Sequence, residues 1–137
     1  MKIAIVVADF NSEVTHVMLD RAVAHAAELG AEISRVVHVP GVFDMGPIVK
    51  RLLSRGDVDG VVMIGAVIKG ETLHDELISQ IAARIGAELS IEYGKPVGLG
   101  ITGPGMMTGQ AIDRIDNARH AVEAVVRVFA ELAALDK

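Results

Sequence analysis

Two hydrophobic rhythms alternate along this chain. Ile3-Ala4-Ile5-Val6-Val7-Ala8 is an uninterrupted apolar run, the pattern of a strand covered on both faces. Asp9-Phe10-Asn11-Ser12 interrupts it with helix-start residues. Val14, Val17, Met18, Ala22 and Leu29 then recur at helical spacing, and Gly30 follows where a C′ glycine is expected. The two rhythms repeat from there. Ile33 to Val39 predicts a second strand, Pro40-Gly41 a turn, and Asp44 to Leu53 a helix that tolerates Pro47 only in its first turn. Val58 to Ile68 predicts a third strand. Leu73, Leu77, Ile81, Ile85 and Leu89, with Ile78 and Ala82 beside them, predict a long amphipathic helix ended by Gly94-Lys95-Pro96. Val97 to Thr102 predicts a fourth strand, and Gly103-Pro104-Gly105 a loop. In the last helical region, Thr108 to Leu135, the residues Ile115, Ala118, Val122, Val125, Phe129 and Leu132 alternate steps of three and four. The order is β-α-β-α-β-α-β-α within one domain, 1–137. Right-handed crossovers between buried strands then give an α/β fold, a doubly wound four-stranded parallel sheet of flavodoxin-like type with helices on both faces.

Composition narrows what such a domain does. Hydrophobic residues make up 51% of the 137 residues, and mean hydropathy is +0.44. Glycines and charges still interrupt every run short of membrane length. Surplus apolar surface without a membrane segment points to self-association through broad interfaces. A net charge of −5 argues against nucleic acid as a partner. With no cysteine, disulfides, thiolate nucleophiles and cysteine-ligated metal centres are excluded. Met1-Lys2 leads directly into a strand, with no cleavable signal pattern, so a cytoplasmic location and no membrane partner are expected.

In parallel sheets of this kind ligands bind beyond the carboxyl ends of the strands. Those ends carry Asp9-Phe10-Asn11, Gly41-Val42-Phe43-Asp44, the segment Gly65 to Glu76, and Leu99 to Gly105. The third is the most informative. Gly65 and Gly70 permit close approach, Thr72 is placed to cap the next helix, and the helix start favours an anion. His74 follows in the first turn, where a neutral imidazole suits proton transfer near neutral pH. Taken singly, each residue has a plainer reading. Phe10 reads as packing, Asp44 as a helix N-cap or first-turn acid, His74 as a solvated polar residue, and Arg114 as an exposed partner of Asp113 or Asp116. Convergence on one rim raises the functional reading of each. A metal is not expected, because His74-Asp75-Glu76 points to different helical faces and lacks a second histidine at i+4. His16, His25, His38 and His120 have no comparable local context.

Four segments together resemble the 6,7-dimethyl-8-ribityllumazine synthase family, in its archaeal branch, over nearly the whole chain. They are Ala8-Asp9-Phe10-Asn11, Val39 to Asp44, Gly65 to His74, and Gln110-Ala111-Ile112-Asp113-Arg114. The resemblance implies a cofactor-free condensation of 5-amino-6-(D-ribitylamino)uracil with 3,4-dihydroxy-2-butanone 4-phosphate. By motif match, His74 would donate and accept protons, while Glu71 and Thr72, largely through backbone and hydroxyl, would hold the phosphate with Arg114. Phe10 would stack on the pyrimidine, Val42, Phe43 and Asp44 would line the ribityl pocket, and Ala66, Val67 and Ile68 would offer backbone groups to the heterocycle. Leu99 stands where bacterial members commonly carry phenylalanine, so an aliphatic contact replaces an aromatic one. Arg119-His120-Ala121 likewise replaces a segment carrying lysine and glycine, leaving Arg114 more of the phosphate role. The resemblance further implies pentamers, some assembled into sixty-subunit shells, with each site shared between neighbours. Two alternatives stay open on the sequence: an archaeal-type riboflavin synthase of the same fold, disfavoured by the phosphate seat, and a non-catalytic flavin-binding module. A receiver-type domain would need an acidic cluster where Gly65 and Ala66 stand.

Overall fold

The computed structural model describes residues 1–68, 74–106 and 114–137, with backbone only for 103–106. Its elements are β1 (Lys2–Ala8), α1 (Ser12–Glu28), β2 (Glu32–Val39), a 3-10 turn (Val42–Met45), α2 (Gly46–Leu53), β3 (Gly60–Ile68), α3 (His74–Tyr93), β4 (Val97–Met106) and α4 (Asn117–Leu135). The strands form one sheet in the order β2-β1-β3-β4, and every pairing is parallel. This is the α/β architecture predicted from the two rhythms.

Strand β1 is central, and its pleat explains its unbroken apolar run. Ile3, Ile5 and Val7 point to one face, where Val14, Met18 and Ala22 of α1 and Ala118, Val122 and Val125 of α4 complete a core. Ala4, Val6 and Ala8 point to the other, against Met45, Val49, Leu52 and Leu53 and against Ala82 of α3. Successive side chains alternate faces, and neither face meets water, so no position in the run tolerates a charge. Each fully buried aliphatic side chain contributes roughly 1.5–3 kcal/mol. Helix α4 lies close on β4 because Gly98 carries no side chain. A Cβ there would stand 2.6 Å from the Ala121 carbonyl oxygen and 2.9 Å from Val125 Cγ2.

Several boundaries differ from the sequence reading, each for a physical reason. The helix expected from Asp44 is split, with Asp44 in the 3-10 turn and Pro47 in the first turn of α2, where its missing N–H costs nothing. Strand β4 continues through the predicted Gly103-Pro104-Gly105 loop to pair Met106 with Ile68. As an edge strand it accommodates proline. Strand β2 is an edge as well, and its expected full burial fails: Glu32, Arg35 and His38 are exposed, and Val36 is 39% exposed. The last helix is described only from Asn117, after a turn at Arg114–Asp116; its predicted start at Thr108 lies outside the described residues.

At the amino end of the sheet, polar groups are bonded back into the protein. The Lys2 backbone N–H donates to Asp59 Oδ2 at 2.7 Å. Lys95 Nζ donates to the carbonyls of Leu53 at 2.9 Å and Arg55 at 2.8 Å, closing the carboxyl end of α2. Arg55 forms a two-pronged pair with Asp57 at 2.8 and 2.9 Å, and the guanidinium hydrogen bonds hold the Asp57 carboxyl below its ordinary pKa. Among the described residues, no helix is long and apolar enough to cross a membrane.

Candidate active site

Sheet order reverses between β1 and β3, and a cleft of about 470 Å³ opens at their carboxyl ends. This is where a doubly wound sheet leaves its crevice. Three loops build the cleft. From β1 come Ala8, Phe10 and Asn11; from the β2–α2 connection come Gly41, Val42, Phe43 and Asp44; from β3 come Ala66, Val67 and Ile68. Helix α3 closes it with His74, Asp75 and Ile78.

The local chemistry of each loop fixes its side chains. Asn11 has φ 64°, in the left-handed region, which asparagine tolerates better than most residues. Its side chain does not cap α1. Instead Nδ2 donates to the Ala66 carbonyl at 2.8 Å, tying the β1 loop to β3. The β1–β2 ladder continues past the strand ends, with Asp9 N–H donating to Val39 O at 2.9 Å and Phe10 N–H to Pro40 O at 3.0 Å. Phe10 is thereby presented at the rim, 65% exposed. A Cβ at Gly41 would stand 2.9 Å from two atoms of its ring, so glycine is what lets the aromatic lie against the turn. Gly65 does the same for the floor, where a Cβ would stand 2.5 Å from Val42 Cγ2.

Asp44 accepts the Gly41 N–H through Oδ2 at 2.9 Å. Of its two plainer sequence readings, the first-turn acid holds and the N-cap does not, since Gly41 occupies that position; the same carboxylate also faces the cleft. Phe43 is 62% exposed beside it. Pairing of β3 with β4 slips between Ala66 and Ile68, which takes Val67 out of that register at the cleft. The Ala66 carbonyl is already engaged by Asn11 and keeps one lone pair for a ligand.

Phe10, Val42, Phe43, Asp44, Ala66, Val67, Ile68 and His74 thus meet around one cleft. Leu99 and Arg114 do not line it. Leu99 is 53% exposed on β4, and Arg114 is exposed in the turn before α4. Glu71 and Thr72 lie outside the described residues, as does Gly70. Asn11 and Asp75 stood within the expected strand-end segments without an assigned role, and Ile78 was read only as part of the amphipathic helix; all three line the cleft. Asn11 is hidden because asparagine before a helix reads as a cap. Asp75 and Ile78 follow His74 at i+1 and i+4, a spacing that could have placed the latter beside the imidazole.

Apolar walls, two exposed aromatic rings, carboxylates and an imidazole suit a flat heterocycle bearing hydroxyls, with proton transfer at one edge. Comparison with known proteins agrees. The profile of 6,7-dimethyl-8-ribityllumazine synthase matches residues 1–135. The chain belongs to that family. A lumazine synthase of Metallosphaera sedula is 53% identical over 129 residues, covering 93% of this chain and 85% of the relative. That of Archaeoglobus fulgidus is 51% identical over 136 residues, covering 99% and 95%. That of Methanothermobacter thermautotrophicus is 50% identical over 132 residues, covering 96% and 95%. These relatives agree with the archaeal branch of the family that the four segments resemble.

Proposed function

We propose that the rim cleft is the active site in which this chain acts as a 6,7-dimethyl-8-ribityllumazine synthase, a transferase of riboflavin biosynthesis. Family membership supports the activity. The observation that carries the site is the meeting of Phe10, the Val42–Asp44 turn, the end of β3 and His74 around one opening. The amine of 5-amino-6-(D-ribitylamino)uracil condenses with the ketone of 3,4-dihydroxy-2-butanone 4-phosphate. Imine formation, loss of phosphate, ring closure and dehydration follow. The pyrimidine stacks on Phe10, a contact worth about 0.5–1.5 kcal/mol beyond burial. Asp44 accepts from ribityl hydroxyls, and the backbone at Val67, outside the β4 register, serves the heterocycle's edge. His74 moves protons between the amine, the departing oxygen and water. Alignment supplies much of the rate, since orientation alone is worth roughly 7–11 kcal/mol in favourable models. Phosphate leaves without metal assistance when cationic and N–H donors stabilise its charge, a role that falls to Thr72, Glu71 and Arg114.

The same reading extends to a homopentamer, or a shell built from pentamers, in which Leu99 and Arg114 complete a neighbour's cleft. Their exposure away from their own cleft supports it, as do the exposed Val36, Leu77 and Ile91. It extends also to a cytoplasmic location, where small phosphorylated metabolites are available.

Mixing the purified chain with both substrates and following lumazine fluorescence tests the activity. Riboflavin formed from lumazine alone would identify the rival synthase, and flavin binding without turnover the binding module. His74→Ala should lower kcat at least tenfold with little change in KM, near or below the roughly 10²–10⁴-fold typical of acid–base groups. Arg114→Ala should chiefly raise KM for the phosphorylated substrate. Equal mixtures of these two variants, reassembled, should regain about one quarter of wild-type sites if each site spans two subunits; no recovery would place both residues in one subunit's site.

A further inference from the structure

Three side chains outside the cleft's lining converge on its outer rim. Asp9 follows β1, His38 lies one residue before the end of β2, and His16 lies early in α1. The extended ladder between Asp9 N–H and Val39 O, at 2.9 Å, sets Asp9 beside His38. Asp9 Oδ1 is 2.8 Å from His38 Nδ1 and 3.9 Å from His16 Nε2. One ligand atom from each residue lies within 4.8 Å of the other two. The two imidazole rings meet edge to face with centroids 6.2 Å apart.

A hydrogen bond explains the His38–Asp9 pair, but it does not explain His16. At 3.9 Å its nitrogen is too far from the shared oxygen to hydrogen-bond, and as an exposed ion pair it contributes little. A shared cation accounts for both imidazoles. An ion bonded at about 2.0–2.2 Å holds neighbouring ligand atoms roughly 3–3.5 Å apart, so small rotations of three half-exposed side chains close the geometry. The donor set is two imidazole nitrogens and one carboxylate oxygen. It suits borderline ions such as Zn²⁺, Co²⁺ or Ni²⁺, not the all-oxygen preference of Ca²⁺ or Mg²⁺.

We infer that Asp9, His16 and His38 form a surface site for one borderline divalent transition-metal ion, with water completing its coordination. The ion bridges the ends of β1 and β2 to α1 and thereby pins the turn that presents Phe10. No local motif announces it, because its three ligands come from three elements. No step of the lumazine reaction is assigned to it.

Calorimetric titration of the chelator-treated full chain with ZnCl₂ tests the site. One ion per chain should bind. Asp9→Asn, His16→Gln and His38→Gln should each weaken that binding by about tenfold or more, while His120→Gln leaves it unchanged. The exposure of the three residues makes folded variants the expectation, which circular dichroism checks. Anomalous scattering from wild-type crystals grown with Co²⁺ should place the ion between the three side chains without recourse to any variant. Absence of saturable Zn²⁺ binding, affinity unaltered in the three variants, or cobalt found only elsewhere would each overturn the inference.

Discussion

The two ends of the sheet use their polar groups in opposite ways. At the amino end, Lys95 bridges two carbonyls, Asp59 holds the first strand, and Arg55 is clamped to Asp57. At the carboxyl end, two phenylalanines stand more exposed than covered, and His74, Asp44 and Asp75 face a cleft. The same parallel strands run through both. What differs is the crevice: sheet order reverses where the loops of β1 and β3 part, and ligand-facing groups gather there. Asp44 belongs to both habits at once, holding Gly41 N–H with one oxygen while facing the opening. Groups that bond the chain to itself contribute stability. Groups at the crevice contribute recognition, and the two can be separated by substitution.

Gly98→Ala should cost the most stability. Its Cβ would meet the Ala121 backbone oxygen at 2.6 Å, and backbone cannot swing aside, so a loss of about 2–3 kcal/mol is expected in urea denaturation. The remaining folded protein should bind substrate normally. Asn11→Ala should follow at about 2 kcal/mol, from one lost hydrogen bond and an alanine held in the left-handed region. Asn11→Gly should recover the backbone part, and equal losses for the two would deny the conformational argument. Lys95→Met should cost about 1–2 kcal/mol by leaving two carbonyls short of a donor, with kcat and KM unmoved. Gly41→Ala should barely change stability, because the Phe10 ring it strikes is exposed and turns away. It should instead raise KM for the pyrimidine substrate. A Gly41→Ala variant as unstable as Gly98→Ala would erase the contrast between the two ends.

Most of the fold was legible because burial wrote it into the sequence. A strand covered on both faces must be apolar throughout, and Ile3 to Ala8 and Val61 to Ile64 meet that demand visibly. The site was legible as strand-end segments, because parallel topology dictates which ends gather. Three features were not legible, each for want of tertiary information. The exposure of β2 depends on its edge position, which apolar content alone does not reveal. The continuation of β4 through Gly103-Pro104-Gly105 depends on its place at the edge of the described sheet, where a proline interrupts no ladder. The detachment of Leu99 and Arg114 from the cleft depends on where β4 and the α4 turn sit relative to the switch point. Asp9, His16 and His38 illustrate the same blindness, since no reading of local spacing joins residues from three elements.

The pairing of β1 has a consequence for how the chain comes into being. Ile3 lies opposite Ile33 on one side and Gly60 on the other, so an inner strand is synthesised before the other strands of its sheet and enclosed late. Until β3 emerges, one flank of a wholly apolar segment has no hydrogen-bonding neighbour, the sort of open template that invites association with other nascent chains. Rapid docking of the β1-α1-β2 unit would shorten that interval, and slowed elongation between positions 40 and 60 would lengthen it.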